Sequence, residues 1–332
     1  MIITRTPFRI SFFGGGTDYP TWFREHGGAV LSTTIDKYCH ISLRTLPPFF
    51  EHKHRIVYSK VELVRQIEEI QHPVVREGMR WFEVQEGLEI HHDADLPARS
   101  GLGSSSAFSV GFLHALHAHH GRAVSKRRLA QEAIELEHDR IGEHVGIQDQ
   151  ISTSFGGLNR ILFSPNGEFQ VEPVVLPQER FEELDAALML VFTGQTRLAS
   201  EVAKQKIDNL KNRSAELHEM RVMVDEGLAI LQDSRQPIDL FGALLDRSWR
   251  LKRRLSGVVT NSRIDEIYEA ALDAGASGGK LMGAGAGGFM IFIVRPALRN
   301  RVAQRLKELI QVKCRIEQAG TRLLVYDPDH AS

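Results

Sequence analysis

Pro97-Ala98-Arg99-Ser100-Gly101-Leu102-Gly103-Ser104-Ser105-Ser106-Ala107 is the most informative stretch of this chain. A loop rich in glycine and serine leads here into a helix, because Phe108, Phe112 and Leu116 follow at helical spacing. Glycine lets the backbone approach a ligand closely, and the first N–H groups of a helix lack partners within it. The stretch therefore favours binding of an anion such as phosphate. A serine-rich turn that only caps the helix stays open as an alternative.

Length and composition narrow the class of protein. With 332 residues the chain predicts two domains rather than one. Its 41 basic and 42 acidic side chains nearly cancel, so we expect a small-molecule partner and no binding to nucleic acid or to a membrane. Only two cysteines are present, Cys39 and Cys314, and the N-terminus lacks the apolar segment of a signal peptide. These features indicate a cytoplasmic protein, and they leave its oligomeric state open.

The pattern of strands and helices predicts an α+β fold. The first half mixes β-branched runs with helices, and the second half turns mostly helical after a strand at Leu188–Phe192. We therefore expect one domain over residues 1–180 and another over residues 181–332. The predicted helices are Lys126–His144, Ala199–Leu231, Asp239–Leu255, Arg263–Ala274 and Pro296–Ile310. Further strands are predicted at Ala29–Ile35, Cys39–Leu43, Leu88–His92, Leu158–Phe163, Phe169–Leu176, Phe289–Val294 and Arg322–Tyr326.

A second glycine cluster covers residues 278–288. It formally contains the dinucleotide-binding pattern at Gly283, Gly285 and Gly288, but a buried strand follows these glycines where that motif requires a helix. It is not a Walker A motif either, because Lys280 is followed by Leu281 rather than by serine or threonine. The cluster is interpreted as a loop between strands whose bare backbone packs against another loop or a ligand. A purely structural hairpin bend remains the alternative.

The N-terminal segment Pro7-Phe8-Arg9-Ile10-Ser11-Phe12-Phe13-Gly14-Gly15-Gly16-Thr17-Asp18-Tyr19 combines an apolar strand with a glycine loop. An arginine in such a strand is costly unless it meets an anion, so Arg9 is a candidate site residue. Thr17 and Asp18 could present oxygen atoms to sugar hydroxyls, or they could simply cap the helix that follows.

Two carboxylates complete the set of candidates. Glu137 falls on the inward face of the helix predicted from Lys126, and an inward carboxylate must be paired, protonated or bound to a cation. The alternative is a glutamate at the edge of that face whose carboxylate reaches solvent. Asp149 follows in Gly146-Ile147-Gln148-Asp149-Gln150, where it is either a helix cap or a catalytic base.

These motifs, in this order along nearly the whole chain, resemble those of the GHMP kinase superfamily, which includes galactokinase, homoserine kinase and mevalonate kinase. The resemblance implies a ribosomal-protein-like N-terminal domain and a ferredoxin-like C-terminal domain. It implies ATP and Mg²⁺ as cofactors, with magnesium held by Ser105 and Glu137. It further implies that Asp149 orients or deprotonates the acceptor hydroxyl, and that Arg9 is the cation beside it.

The remaining site residues are also carried over from the resemblance. Nucleotide-binding residues are expected at Pro97, Gly101, Leu102, Gly103, Ser104, Ser105, Ser106, Gly283 and Gly285. Acceptor-binding residues are expected at Thr17, Asp18, Gly146, Gln150 and Arg197.

Within the family, the glycine-rich segments look most like those of kinases that act on D-glycero-D-manno-heptose 7-phosphate. The resemblance implies phosphorylation of the anomeric hydroxyl to give the 1,7-bisphosphate, a step toward nucleotide-activated heptose. An acceptor that already carries phosphate needs a second anion site, for which Lys37, Arg44, Arg99 and Arg197 are available. A galactokinase- or fucokinase-like enzyme acting on a free sugar, a decarboxylase of the diphosphomevalonate type and a catalytically silent sugar sensor are the alternatives. Thr17 and Asp18 argue against the decarboxylase.

Overall fold

The computed structural model describes residues 1–194, 213–255 and 259–327. Its strands are β1 (Ile2–Phe13), β2 (Gly28–Thr45), β3 (His54–Val57), β4 (Val61–Val64), β5 (Leu88–Ala94), β6 (Asn159–Phe163), β7 (Phe169–Pro173), β8 (Leu188–Phe192), β9 (Gly278–Leu281), β10 (Phe289–Ile293), β11 (Ile310–Val312), β12 (Ile316–Glu317) and β13 (Arg322–Tyr326). Its helices are α1 (Pro20–His26), α2 (Pro73–Trp81), α3 (Ser104–His119), α4 (Lys126–Glu135), α5 (Gln148–Phe155), α6 (Gln178–Ala187), α7 (Ser214–Gln232), α8 (Asp239–Leu255), α9 (Ser262–Asp273) and α10 (Pro296–Arg305). Helices packed on two sheets confirm the α+β class.

Within the described residues, the first sheet has nine strands and is built on the long β1–β2 hairpin. Its main order is β13-β1-β2-β5-β3-β4, with β6 and β12 also paired to β2 and β7 paired to β6. The register of β1 with β2 runs from Ile2 opposite Leu43 to Phe13 opposite Leu31. The strand pairings described for this sheet are all antiparallel except that of β3 with β5. The glycine loop after Phe13 therefore lies at one end of this hairpin.

The second sheet, as far as the structure describes the chain, has four antiparallel strands in the order β11-β8-β10-β9. Helix α8 packs on β9, and one continuous apolar core joins the two sheets. The rings of Phe12 and Phe13 meet Phe241 of α8 edge to face, with centroid separations of 5.2 and 5.1 Å. The end of β1 is thereby fixed against the second half of the chain.

Three elements differ from those predicted. The runs at Ala29–Ile35 and Cys39–Leu43 belong to the single strand β2, which continues through them. The helix predicted over Lys126–His144 stays α-helical only to Glu135 and then forms a π turn, Leu136–Arg140. The helix predicted over Pro296–Ile310 ends at Arg305, because β11 begins at Ile310 and pairs with β8.

The last strands return to the first sheet. The sequence pattern groups Arg322–Tyr326 with the second half, whereas the structure pairs β13 with β1 and β12 with β2. Strands β12 and β13 thus lie in the sheet formed mainly by the N-terminal half. Part of the helix predicted from Ala199 falls outside the described residues. Within the described ranges, no helix is both long and apolar enough to cross a lipid bilayer.

Candidate active site

Arg9 and Asp149 form a bidentate ion pair between β1 and the first turn of α5. The Arg9 Nε and Nη2 atoms each donate to one Asp149 carboxylate oxygen at 2.7 Å, and Nη1 donates to the Gly101 carbonyl at 2.5 Å. The Arg9 residue is only 4% exposed, whereas the Asp149 side chain remains 23% exposed. Asp149 is therefore the anion that the sequence requires for Arg9, and its carboxylate is oriented yet accessible.

The loop before α3 meets this ion pair. Gly101 and Gly103 both have positive φ angles, of +83° and +74°, and Gly103 is the N-cap of α3. A Cβ atom on Gly103 would lie 3.0 Å from Arg9 Cγ and 3.4 Å from an Asp149 carboxylate oxygen. The positive end of α3 and the Arg9–Asp149 pair are thus adjacent, which is the arrangement that phosphate transfer to a nearby hydroxyl requires.

The second glycine loop packs directly on the first. A Cβ atom on Gly283 would come within 2.5 Å of Gly101 Cα, and the Phe289 N–H donates to the Ser100 carbonyl at 3.0 Å. The buried Lys252 Nζ donates to the Leu281 and Gly283 carbonyls at 2.7 and 2.6 Å. Gly283 therefore supports the loop predicted to bind phosphate.

Two further glycines of the second loop, Gly285 and Gly288, make different contacts. A Cβ atom on Gly285 would instead contact the backbone of Val259, and it would lie 2.8 Å from the Val259 Cα atom. Gly288 approaches the Ser100 carbonyl, to which a Cβ atom would come within 2.3 Å. Gly285 is thus placed against Val259 rather than against the loop before α3.

Glu137 lies buried in the π turn, with only 1% of its surface exposed. One carboxylate oxygen accepts hydrogen bonds from Ser106 Oγ at 3.2 Å and from Gln150 Nε2 at 2.5 Å. The other has no hydrogen-bond partner within the described part of the chain. Burial raises the pKa of Glu137 to about 8, although hydrogen bonds from Ser109 and Gln150 act in the opposite direction; the charges of Glu143 and Asp149 raise it further. An unsatisfied buried carboxylate oxygen is suited to a cation.

The first-turn serine that bonds to Glu137 is Ser106, not Ser105, and Ser109 one turn later also acts on this carboxylate. Ser105 follows the N-cap by two residues and its side chain is exposed, whereas Ser106 is buried and bonds to the carboxylate. No group of three or more histidine, cysteine or acidic side chains suited to a metal ion occurs among the residues that the structure describes. A magnesium ion here would therefore rely on Glu137, a first-turn hydroxyl and the ligand's own phosphate oxygens.

The Thr17–Asp18 loop is locked to the segment that carries Asp149. The Asp18 carboxylate accepts from the Gly16 N–H and from Gln148 Nε2, both at 2.8 Å. Gly146 passes so close that a Cβ atom there would sit 1.9 Å from an Asp18 oxygen. Because it lacks a Cβ atom, Gly146 permits the Asp18 carboxylate to approach this segment closely.

Two of the side chains predicted to bind the acceptor instead form hydrogen bonds within the protein. The Thr17 hydroxyl is fully buried and bonds to the Gly14 carbonyl and to the backbone of Ala29, so it holds the loop together. Gln150 is likewise fully buried, and its amide nitrogen bonds to Glu137. Arg197 lies outside the described residues.

The described basic residues considered for a second phosphate, Lys37, Arg44 and Arg99, lie in three different surroundings. Arg44 pairs with Glu89 at the far end of the β1–β2 hairpin, more than about 20 Å from Arg9 at 3.3 Å per strand residue. Lys37 bonds to Asp36 and lines a separate cleft. Arg99 belongs to the loop before α3, where its φ angle is +59°.

Tyr19 and Gln148 are site residues that the sequence did not single out. Burial strongly raises the pKa of the Tyr19 phenol, and the charges of Asp18 and Asp149 raise it further, whereas the charge of Arg9 lowers it. Gln148 bonds to Asp18. Their only sequence signal is adjacency, since each directly neighbours a candidate residue.

Comparison with known proteins identifies the family. The model described as GHMP kinases N terminal domain matches residues 62–157, and the one described as GHMP kinases C terminal matches residues 229–311, together more than half of the chain. Among relatives, the D-glycero-alpha-D-manno-heptose 7-phosphate kinase of Campylobacter jejuni is 29% identical, covering 92% of this chain and 93% of that protein. The galactokinase of Pyrococcus furiosus is 25% identical over 88% and 89% of the two chains.

A larger relative and two solved structures extend the comparison. The bifunctional fucokinase/GDP-fucose pyrophosphorylase of Arabidopsis thaliana is 27% identical over 91% of this chain, which spans only 31% of that protein. A D-glycero-D-manno-heptose 1-phosphate kinase from Bacteroides thetaiotaomicron superposes with a TM-score of 0.80 at 21% identity, covering 98% of this chain and all of that one. The galactokinase of Lactococcus lactis superposes with a TM-score of 0.72 at 20% identity, over 97% and 94% of the two chains. These two structures share the fold, and with both domain models matched, the chain belongs to the GHMP kinase family.

Proposed function

We propose that this protein transfers the γ-phosphoryl group of ATP to a sugar hydroxyl. The observation that carries the proposal is the Arg9–Asp149 ion pair, which stands beside the glycine loop at the N-terminus of α3. In the reaction, a bond forms between the sugar oxygen and the γ-phosphorus as the bond to the ADP oxygen breaks. The hydroxyl proton passes to Asp149 or to solvent.

The loop before α3 is proposed to bind the phosphates of ATP. The backbone N–H groups of Ser104 and Ser105 open the helix, and Gly101 and Gly103 leave no Cβ atoms in the way. Bound magnesium would supply charge neutralisation on the phosphates, and Glu137 together with Ser105 or Ser106 would hold it. These groups lower the barrier by positioning and by electrostatic stabilisation rather than by covalent chemistry.

Asp149 is proposed to orient the acceptor hydroxyl. Both of its oxygens bond to the Arg9 guanidinium, and this fixes the carboxylate in one orientation before the acceptor arrives. Asp149 is also held through its backbone carbonyl, which accepts from Thr153 Oγ1 at 2.9 Å. Arg9 further places positive charge near the hydroxyl oxygen as it becomes more negative.

The acceptor is proposed to be D-glycero-D-manno-heptose 7-phosphate, phosphorylated at its anomeric hydroxyl. Support comes from the relative named for this substrate, which matches over almost the full length of both chains. Residues 1–180 would supply the nucleotide loop and Asp149, and residues 181–332 would complete the site through the loop that carries Gly283. Asp18 would bind hydroxyls of the sugar.

A free monosaccharide is the second candidate. The relatives named as a galactokinase and as a fucokinase fusion also match along most of this chain. The residues around Arg9 and Asp149 suit either acceptor. Only an assay with both kinds of sugar therefore distinguishes the two candidates.

Replacing Asp149 with asparagine tests the proposal. We expect turnover to fall by about 10²–10⁴-fold, because a general base is lost and the amide cannot form the same pair with Arg9. The affinity for ATP should stay within a few-fold, since Asp149 is not assigned to the nucleotide. Steady-state rates and nucleotide titration measure the two effects. The exposed Asp273 is the matched control, and its asparagine variant should behave as the native enzyme. Near-normal turnover of the Asp149 variant would refute the assignment.

A further inference from the structure

The backbone conformation at residue 15 does not require glycine. Its neighbours Gly14 and Gly16 have φ angles of +81° and +112°, a region in which other residues are strained. Gly15 has no such angle, and a Cβ atom there would meet nothing closer than 3.8 Å. Among the described glycines without a positive φ, every other one would bring a Cβ atom within 3.0 Å of a neighbouring atom. A reason other than local packing must therefore account for the missing side chain.

Two buried polar groups line the space above Gly15. The position of its absent Cβ atom is 3.8 Å from both Ser11 Oγ and Gln148 Nε2. Ser11 Oγ and Gln148 Oε1 have no hydrogen-bond partner among the described residues, although both side chains are more than nine-tenths buried. The Gln148 atom that faces this space is Nε2, so Ser11 Oγ is the unsatisfied buried group beside it. Buried polar groups in proteins are normally hydrogen-bonded, so an unsatisfied one beside an open space points to a ligand.

The chemistry of this space favours a neutral hydroxyl. A serine hydroxyl and a carboxamide can both donate and accept hydrogen bonds, and neither carries charge. Gln148 Nε2 is also bonded to the Asp18 carboxylate, whose negative charge disfavours a phosphate at this position. Gly15 is partly exposed while the residues on both sides of it are buried, so the space opens beside this glycine.

We propose that Ser11, Gly15 and Gln148 form a subsite that recognises one hydroxyl group of the sugar acceptor. The proposal rests on the proposed function, and it names residues that determine acceptor specificity. The hydroxyl fills the space kept open by Gly15 and bonds to Ser11 Oγ and to the Gln148 amide. A phosphate on the acceptor lies outside this subsite.

Gly15→Ala and Ser11→Ala test the subsite through acceptor binding. Gly15→Ala should leave the melting temperature unchanged or slightly higher, because the residue tolerates a Cβ atom and loses unfolded-state freedom. It should raise the acceptor KM at least tenfold by filling the space, while the KM for ATP changes less than twofold. Ser11→Ala should raise the acceptor KM about 5- to 10-fold through one lost hydrogen bond. Ser248 is the matched control, since it is also buried without a partner in the described chain but lies in α8, and Ser248→Ala should leave both KM values unchanged.

Deoxy sugars provide a test that a purely structural role of Ser11 would not affect. For one monodeoxy acceptor, the native enzyme should lose about tenfold in kcat/KM, and Ser11→Ala should show no further loss with that same analogue. Unchanged acceptor KM in both Ser11→Ala and Gly15→Ala would overturn the subsite.

Binding without turnover separates the two proposals. Sugar-dependent thermal stabilisation of the native protein that disappears in Gly15→Ala upholds the subsite even if no phosphate is transferred, and only the proposed function then fails. If D-glycero-D-manno-heptose 7-phosphate, sedoheptulose 7-phosphate, mannose, fucose and galactose neither bind nor react, both proposals fail.

Discussion

At the scale of single residues, the site depends on charges that are buried but not isolated. Arg9 loses almost all of its hydration, and three short hydrogen bonds to Asp149 and Gly101 replace it. A buried pair of this kind gives little net stability, whereas removing one partner leaves an uncompensated charge that costs about 3–5 kcal/mol. The Arg9–Asp149 pair therefore serves mainly to orient the Asp149 carboxylate.

The serine that assists Glu137 can be identified by mutation. Ser106→Ala removes the hydroxyl that bonds to the carboxylate, so we expect the magnesium concentration for half-maximal activity to rise about 5- to 10-fold, equivalent to one hydrogen bond of about 1–1.4 kcal/mol. Ser105→Ala should have the smaller effect, because the Ser105 side chain is exposed. The measurement is activity during a magnesium titration at saturating ATP. A larger effect for Ser105→Ala would favour the motif-based assignment instead.

Much of the candidate site could be named from the sequence, but the pairing within it could not. Arg9 in an apolar strand and Glu137 on an inward helix face both signal buried charge on their own. Their partners are distant along the chain, since Arg9 and Asp149 are 140 positions apart. Spacing within a short motif also could not distinguish Ser105 from Ser106, or Gln148 from Gln150, because the start of each helix sets which side chain turns inward.

At the scale of elements, two glycine loops form one unit. The loop of Gly101 and the loop of Gly283 meet backbone to backbone, and neither position has room for a Cβ atom. Lys252 of α8 holds the second loop through two carbonyl groups. The position of the phosphate loop therefore depends on the second half of the chain.

Gly283→Ala measures this dependence. A Cβ atom there would lie 2.5 Å from Gly101 Cα at a φ angle of +66°, so we expect a loss of about 2–4 kcal/mol in the free energy of unfolding and at least a tenfold rise in the KM for ATP. Gly121→Ala is the matched control, because Gly121 has nearly the same angle, +65°, with open space around it. It should cost about 1 kcal/mol and leave the KM for ATP unchanged. Equal effects of the two variants would contradict loop-on-loop packing.

The errors in predicting elements have identifiable causes. Hydrophobic pattern suggested two strands where β2 is continuous, because the polar residues between them occur at an irregularity in the register with β1. The π turn that carries Glu137 was predicted as α-helix, since its apolar spacing differs little from that of an ordinary helix. The returns of β12 and β13 to the first sheet are long-range pairings, and local sequence does not encode them.

At the scale of the whole molecule, burial of histidines couples stability to pH. Burial lowers the pKa values of His54, His72 and His114 to about 4 each. An unfolded histidine titrates near 6.5, so between pH 4 and 6.5 the unfolded chain binds more protons than the folded one. The free energy of unfolding should therefore be highest above pH 6.5 and fall as the pH drops, by about 1 kcal/mol per histidine at pH 5.5.

Denaturant unfolding at pH 7.5 and pH 5.5 tests this coupling. His54→Gln keeps an acceptor for the Leu88 N–H and removes the ionisable ring, so it should reduce the difference between the two pH values by about 1 kcal/mol. The exposed His144 is the control, and His144→Gln should leave the difference unchanged. A His54 variant with the native pH dependence would show that this histidine does not contribute.

The measurement that addresses the proposed reaction most directly is ADP release with MgATP across a panel of acceptors. The panel holds D-glycero-D-manno-heptose 7-phosphate, sedoheptulose 7-phosphate, mannose, fucose and galactose. We predict strong turnover with the heptose 7-phosphate alone, together with loss of that turnover in Asp149→Asn. Turnover with only a free sugar would contradict the proposed acceptor, and silence with every sugar despite ATP binding would contradict phosphoryl transfer itself.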